Sequence, residues 1–132
     1  MSATGKVVVD TSVVVAVLRR VPGLKERLRG AEELLVPLIV LGELEYGVNL
    51  ATPPERQREA VRTFMESATL LLPTARTAAE YGRIKAALKA AGTPLPENDV
   101  WIAALALEHG LPLATRDSHF AQVAGLTVFD WR

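Results

Sequence analysis

Lys6-Val7-Val8-Val9-Asp10-Thr11-Ser12 is the stretch that decides the fold. Three consecutive valines make a short β-branched run, the pattern of a strand buried on both faces. The run stops on a carboxylate. Thr11 and Ser12 then offer hydroxyls that can cap a helix continuing to about Leu18. A buried strand that passes straight into a helix is the opening unit of a parallel sheet covered by helices.

Outward from that unit the chain keeps alternating. Pro22-Gly23 breaks the first helix, and residues 25–29 form a short second one stopped by Gly30. Residues 34–36 read as a strand, and Pro37 starts a helix over 38–50. Residues 55–67 are amphipathic, with Ala60, Val61, Phe64 and Met65 facing inward. Residues 70–72 are a third strand, ended by Pro73. In 76–91, Tyr81, Ile84, Leu88 and Ala91 repeat at helical spacing and Gly92 closes the helix. A Pro-rich loop over 93–97 leads to 100–109, which is apolar nearly all round and therefore a buried helix. Residues 113–115 and 126–130 are further strands, with one or two helical turns over 118–123 between them. The expected fold is a three-layer α/β/α sandwich around a parallel sheet of four to five strands, as one domain over residues 1–132. Sites in such folds lie at the carboxyl ends of the strands.

The 132 residues suffice for an ordinary core. The chain is 49% hydrophobic, with a mean hydropathy of +0.20. That apolarity predicts that some surface is covered by a second subunit or a partner. With no cysteine, disulfides and thiolate metal sites are excluded. No segment is long and apolar enough to span a membrane. The run 7–18 is not a signal peptide, because Asp10 interrupts it and Arg19-Arg20 follow rather than precede it. The expectation is a soluble, cytoplasmic protein. Fifteen basic residues balance fifteen acidic ones, nine of each in 1–66 and six of each in 67–132. No broad nucleic-acid surface is implied. A local patch of Arg19, Arg20, Lys25, Arg27 and Arg29 remains, and by charge alone it reads as a solvated helix face.

Four acids stand against apolar sequence: Asp10, Glu43, Asp99 and Asp117. A carboxylate there is costly unless paired, hydrogen-bonded or bound to a metal. Brought together, the four would make an oxygen-ligand site for a hard cation. Each also has a plainer role. Asp10 can cap the first helix, Asp117 can cap the turn that follows it, and Asp99 suits a first helical turn with Asn98 as the cap. Glu43 is harder to explain, since it lies inside its helix on one face with Ile39 and Tyr46. Glu45 points about 200° away and belongs to the surface. Glu32 and Glu33 read as solvated loop residues. His109 suits a helix C-terminus. His119 could be a metal ligand or a proton carrier, but two histidines far apart in sequence do not make a zinc site, and it receives a minor role at most. Trp101 and Trp131 read as packing residues.

Four segments together resemble a known family. They are 7–12, Gly42-Glu43-Leu44-Glu45-Tyr46-Gly47, Asn98-Asp99-Val100-Trp101-Ile102-Ala103-Ala104, and 113–120 followed by Ala124-Gly125-Leu126. In this order and over this length the chain resembles a PIN-domain protein, specifically a VapC-type ribonuclease toxin of prokaryotic toxin–antitoxin pairs. The resemblance implies an acidic cluster of Asp10, Glu43, Asp99 and Asp117 that binds Mg2+ or Mn2+ and supports endonucleolytic RNA cleavage. It implies a supporting role for Thr115. Thr11, Ser12 and Asn98 are further supporting candidates beside the acids, and Arg116 and the basic cluster around Arg19 are the cations that could hold neighbouring phosphates. It also implies a homodimer and a cognate antitoxin that covers the acidic groove. Two other classes compete. A haloacid-dehalogenase-like phosphatase would need a second acid at the position of Ser12. A non-catalytic protein-binding module on the same fold would have no use for four strained carboxylates.

Overall fold

The computed structural model describes residues 5–132. The opening run forms β1 (Gly5–Val9), whose three valines are fully buried. It leads into α1 (Thr11–Leu18) and α2 (Leu24–Arg29). Then come β2 (Ala31–Pro37), α3 (Leu38–Leu50), α4 (Pro54–Glu66) and β3 (Thr69–Leu71). The second half holds α5 (Ala75–Ala91), α6 (Glu97–Glu108), β4 (Leu113–Thr115), a 3-10 turn over Ser118–Gln122 and β5 (Val128–Asp130).

All strand pairs are parallel, in the order β3-β2-β1-β4-β5. The chain therefore builds outward from β1 on one side and returns to build on the other. With right-handed crossovers, the helices between β1 and β3 cover one face, and α5 and α6 cover the other. The strand order reverses between β1 and β4. A crevice opens at the carboxyl ends there, the place where open α/β sheets bind ligands. Asp10 and Thr115 end the two strands that flank it.

The core is aliphatic. Val7, Val8, Val9, Val36, Leu113 and Ala114 come from the sheet. Val40, Leu44 and Val48 make a single i,i+4 stripe on α3. Six residues of α6 are buried, which agrees with its apolar sequence on every side. Trp131 is buried, and its backbone N–H donates to Thr115 O at 2.8 Å, tying the chain end to β4. Trp101 is only half-buried and stacks on Tyr81 with ring centroids 4.0 Å apart.

Helices α5 and α6 run antiparallel, joined at both ends by polar contacts. Gly92, with φ of 72°, supplies the left-handed cap that lets α5 stop and reverse. Near that reversal Lys85 pairs with Glu97 at 2.7 Å, and Tyr81 donates to the same carboxylate. At the other end Thr74 and Thr77 both donate to Glu108.

Two expectations are corrected. Glu32 and Glu33 lie within β2 rather than a loop, because the strand begins earlier, pairing Lys6 with Glu33 in register. Glu33 then meets Lys6 at 3.6 Å and accepts from Thr69 at 2.8 Å. Helix α6 starts at Glu97, and Asn98 is not its cap. Pro96 holds that position, and its carbonyl accepts from Asp99 N and Val100 N. The face that Glu43 shares with Ile39 and Tyr46 is mixed: Ile39 packs against the core, Tyr46 is 67% exposed, and Glu43 sits at the edge of the α3 core stripe.

Ile102 is fully buried at the centre of α6. Ile102→Ala should cost about 2–5 kcal/mol and Ile102→Val about 0.5–1.5 kcal/mol. Urea unfolding midpoints of the two variants against wild type measure both.

Candidate functional site

Asp10 is 4% exposed at the end of the central strand. Its carboxylate is held on both oxygens. Ser12 Oγ donates to Oδ1 at 2.6 Å and Val13 N at 3.3 Å, while Thr115 Oγ1 donates to Oδ2 at 2.7 Å. Asp10 thus caps α1 and is fixed across the β1–β4 crevice at once. Ser12 does not carry the cap. Its Oγ accepts from Arg116 N at 2.9 Å, which ties α1 to the loop after β4. Thr115 Oγ1 accepts from Asp117 N at 2.9 Å and so sets the direction of that loop. Asp117 caps the 3-10 turn by accepting from His119 N at 2.9 Å. Thr11 donates to Glu43 Oε1 at 2.7 Å, joining α1 to α3.

The four acids named from the sequence do converge. Asp10, Glu43, Asp99 and Asp117 line one cleft of about 480 Å³, together with Thr11, Ser12, Pro96, Glu97 and Asn98. They arrive from the end of β1, the middle of α3, the first turn of α6 and the loop after β4. Thr115 supports from beneath, and Arg116 contributes a backbone contact. Arg19, Arg20, Lys25, Arg27 and Arg29 do not line the cleft. Ser12 occupies the place where a phosphatase of the haloacid dehalogenase type needs a second acid, and here it serves Asp10.

Charge is strained in the cleft. Burial raises the Asp10 carboxyl, opposed by hydrogen bonds from Ser12, Thr115 and Val13, and Asp117 raises it further. Asp99 is pushed up from 3.8 to about 6, first by burial and then by the charges of Asp117, Asp10 and Glu43. Among the described residues, no lysine or arginine comes within ion-pair distance of any of the four. Oxygen donors that repel one another in a cleft without a cationic side chain are a donor set suited to a hard divalent cation.

Two further residues stand at the rim, Glu97, which the sequence reading passed over, and His119, which it weighed lightly. Glu97 lines the cleft mouth and is tied back by Lys85 and Tyr81. Its signal was an acid two residues before Asp99, obscured by assigning residue 97 to a loop. His119, given only a minor role, has Nδ1 2.8 Å from Asp117 Oδ1. Asp99, Asp117 and His119 form a group able to share a metal ion.

Comparison with known proteins gives consistent results. A PIN domain family model matches residues 7–126. Ribonuclease VapC2 of Haemophilus influenzae is 33% identical over 129 residues, covering 96% of this chain and 98% of that protein. A tRNA(fMet)-specific endonuclease VapC of Salmonella typhimurium is 29% identical over the same shares of each. The structure of DNA-bound VapBC from Salmonella typhimurium matches with a TM-score of 0.90 at 28% identity, covering 96% of this chain and 98% of that one.

The raised carboxyl of Asp99 makes metal-free stability depend on pH. Below 3.8 it is protonated in both the folded and the unfolded chain. As pH rises from 3.8 through about 6, the unfolded chain releases the proton first, so the folded state loses stability. Asp99→Asn removes that loss. In EDTA, the variant should gain in melting temperature over wild type as pH rises from 4 to 7, and the gain should vanish in the acid limit. A gain that is the same at both ends would contradict the electrostatic account.

Proposed function

We propose a function from one premise: this chain belongs to the PIN-domain family. It is a ribonuclease of the VapC kind, the toxin half of a toxin–antitoxin pair. One observation carries the assignment of its active site. Four carboxylates from four separate elements meet in a single cleft where the strand order reverses.

We assign Asp10, Asp99 and Asp117 as ligands of Mg2+ or Mn2+, with Glu43 at the edge or reaching the ion through water. When bound, the ion supplies a Lewis acid that lowers the pKa of a water and offsets charge on the phosphate. The protein's own residues orient the site. Thr115 and Ser12 hold opposite oxygens of Asp10, so the direction of its lone pairs is fixed before a ligand arrives. Thr11 holds Glu43 in the same way. Four carboxylates with no lysine or arginine beside them would repel a polyanion, so the cation serves substrate binding as well as cleavage. Arg116, anchored through its backbone to Ser12, is the cation we assign to a neighbouring phosphate.

The substrate class is RNA with exposed loops, whose unstacked nucleotides can be drawn into a cleft. A tRNA, the named substrate of one relative, has such loops. The partner is a cognate antitoxin, and a basic side chain carried into the cleft would inhibit by pairing with the carboxylates. Leu38, Tyr46, Leu50, Leu70 and Leu72 are large, apolar and exposed. They support the reading of a homodimer, an isologous contact being the usual solution.

The wild-type protein should cleave tRNA in Mg2+ or Mn2+ and stop in EDTA. Asp10→Asn should lower the rate by about a hundredfold or more while the far-UV circular dichroism is unchanged. Wild-type cleavage by the folded variant would remove Asp10 from the site. Sedimentation of the free protein at micromolar concentration should give twice the 14.3 kDa chain mass. A 14.3 kDa species alone would reject the dimer.

A further inference from the structure

We propose that His119 supplies a ring nitrogen to the cation held in the acidic cleft, and that this nitrogen tilts the site toward Mn2+ over Mg2+. The inference rests on the metal reading above and adds to it a ligand that is not a carboxylate.

The local fold places the ring. Asp117 caps the 3-10 turn by accepting from His119 N, and that turn brings the side chain back over the same carboxylate. His119 Nδ1 stands 2.8 Å from Asp117 Oδ1. Two ligands at right angles on an octahedral ion with bonds of about 2.1 Å are separated by about 3.0 Å. Without an ion the contact has the length of a hydrogen bond between ring and carboxylate; because it is also close to one octahedron edge, a cation can take the place of the shared proton with little movement. Asp99 completes the group, since one ligand atom from each of Asp99, Asp117 and His119 lies within 4.8 Å of the others. Opposite ligands on such an ion are about 4.2 Å apart, so a small rotation closes the set. The ring has room to make it, being 56% exposed. The other histidine, His109, caps the far end of α6 beside Glu108 and is no rival.

Chemistry supplies the selectivity. Mg2+ is a hard ion bound through carboxylate, carbonyl and water oxygen. An imidazole favours the first-row transition metals. An all-carboxylate cleft would not separate Mg2+ from Mn2+ on that basis, whereas one nitrogen does.

The probe is Mn2+ alone, with the full chain. Electron spin echo envelope modulation of bound Mn2+ should show coupling to a directly ligated 14N nucleus. His119→Gln should abolish that coupling and weaken Mn2+ by about tenfold in calorimetry, while competing Mg2+ shifts far less. Asp117 accepts from the backbone of residue 119, so the turn survives the substitution, and the wild-type spectrum needs no variant at all. Mn2+ bound without 14N coupling, or with coupling that persists in His119→Gln, overturns the proposal and leaves the carboxylate site standing. No Mn2+ binding by wild type overturns both.

Discussion

A single buried carboxylate sets the terms for this molecule. Asp10 follows the central strand and is almost wholly buried at the floor of the cleft, and a charge there is tolerable only if its oxygens are met. They are met by Ser12 and Val13 on one side and Thr115 on the other. These bonds come from the start of α1 and the end of β4, so satisfying one residue fixes how the two central strands sit relative to each other. The strand pairing of β1 with β4 covers only two registered residues on each strand. The polar network at its carboxyl end is what extends the junction into the cleft.

The other three acids are placed by different means, and the differences show in the sequence. Asp10 and Asp117 were legible because each follows a short apolar strand and precedes a turn. Asp99 was legible as an acid opening a buried helix. Glu43 stood out only as an acid within an apolar stretch, on a face that runs from the core at Ile39 to solvent at Tyr46. What brings it to the cleft is Thr11, a contact across 32 residues that no local pattern encodes. The family resemblance, rather than periodicity, joined the four.

Strands and helices were read well where the signal was local. The valines of β1 and the all-apolar face of α6 left little choice. Misplacements fell where a tertiary partner overrode composition. Glu32 and Glu33 look like loop residues until β1 pairs with Ala31 and Glu33 on either side of Glu32, and Lys6 and Thr69 take up the Glu33 carboxylate. The start of α6 moved to Glu97 because Pro96, with no side-chain donor or acceptor, can still open a helix through its fixed φ and a carbonyl that accepts from Asp99 N and Val100 N. Glu97 was lost to the site for the same reason.

The paired helices α5 and α6 carry a consequence for how the cleft is built. Glu97 and Glu108 sit at opposite ends of α6, and each is grasped by α5. The aromatic stack of Tyr81 on Trp101 adds a third contact between the two helices. Asp99 lies in the first turn of α6, two residues from the Glu97 grip. The cleft therefore has walls of two origins: strand ends joined by the hydrogen bonds around Asp10, and a helix end moored to the neighbouring helix.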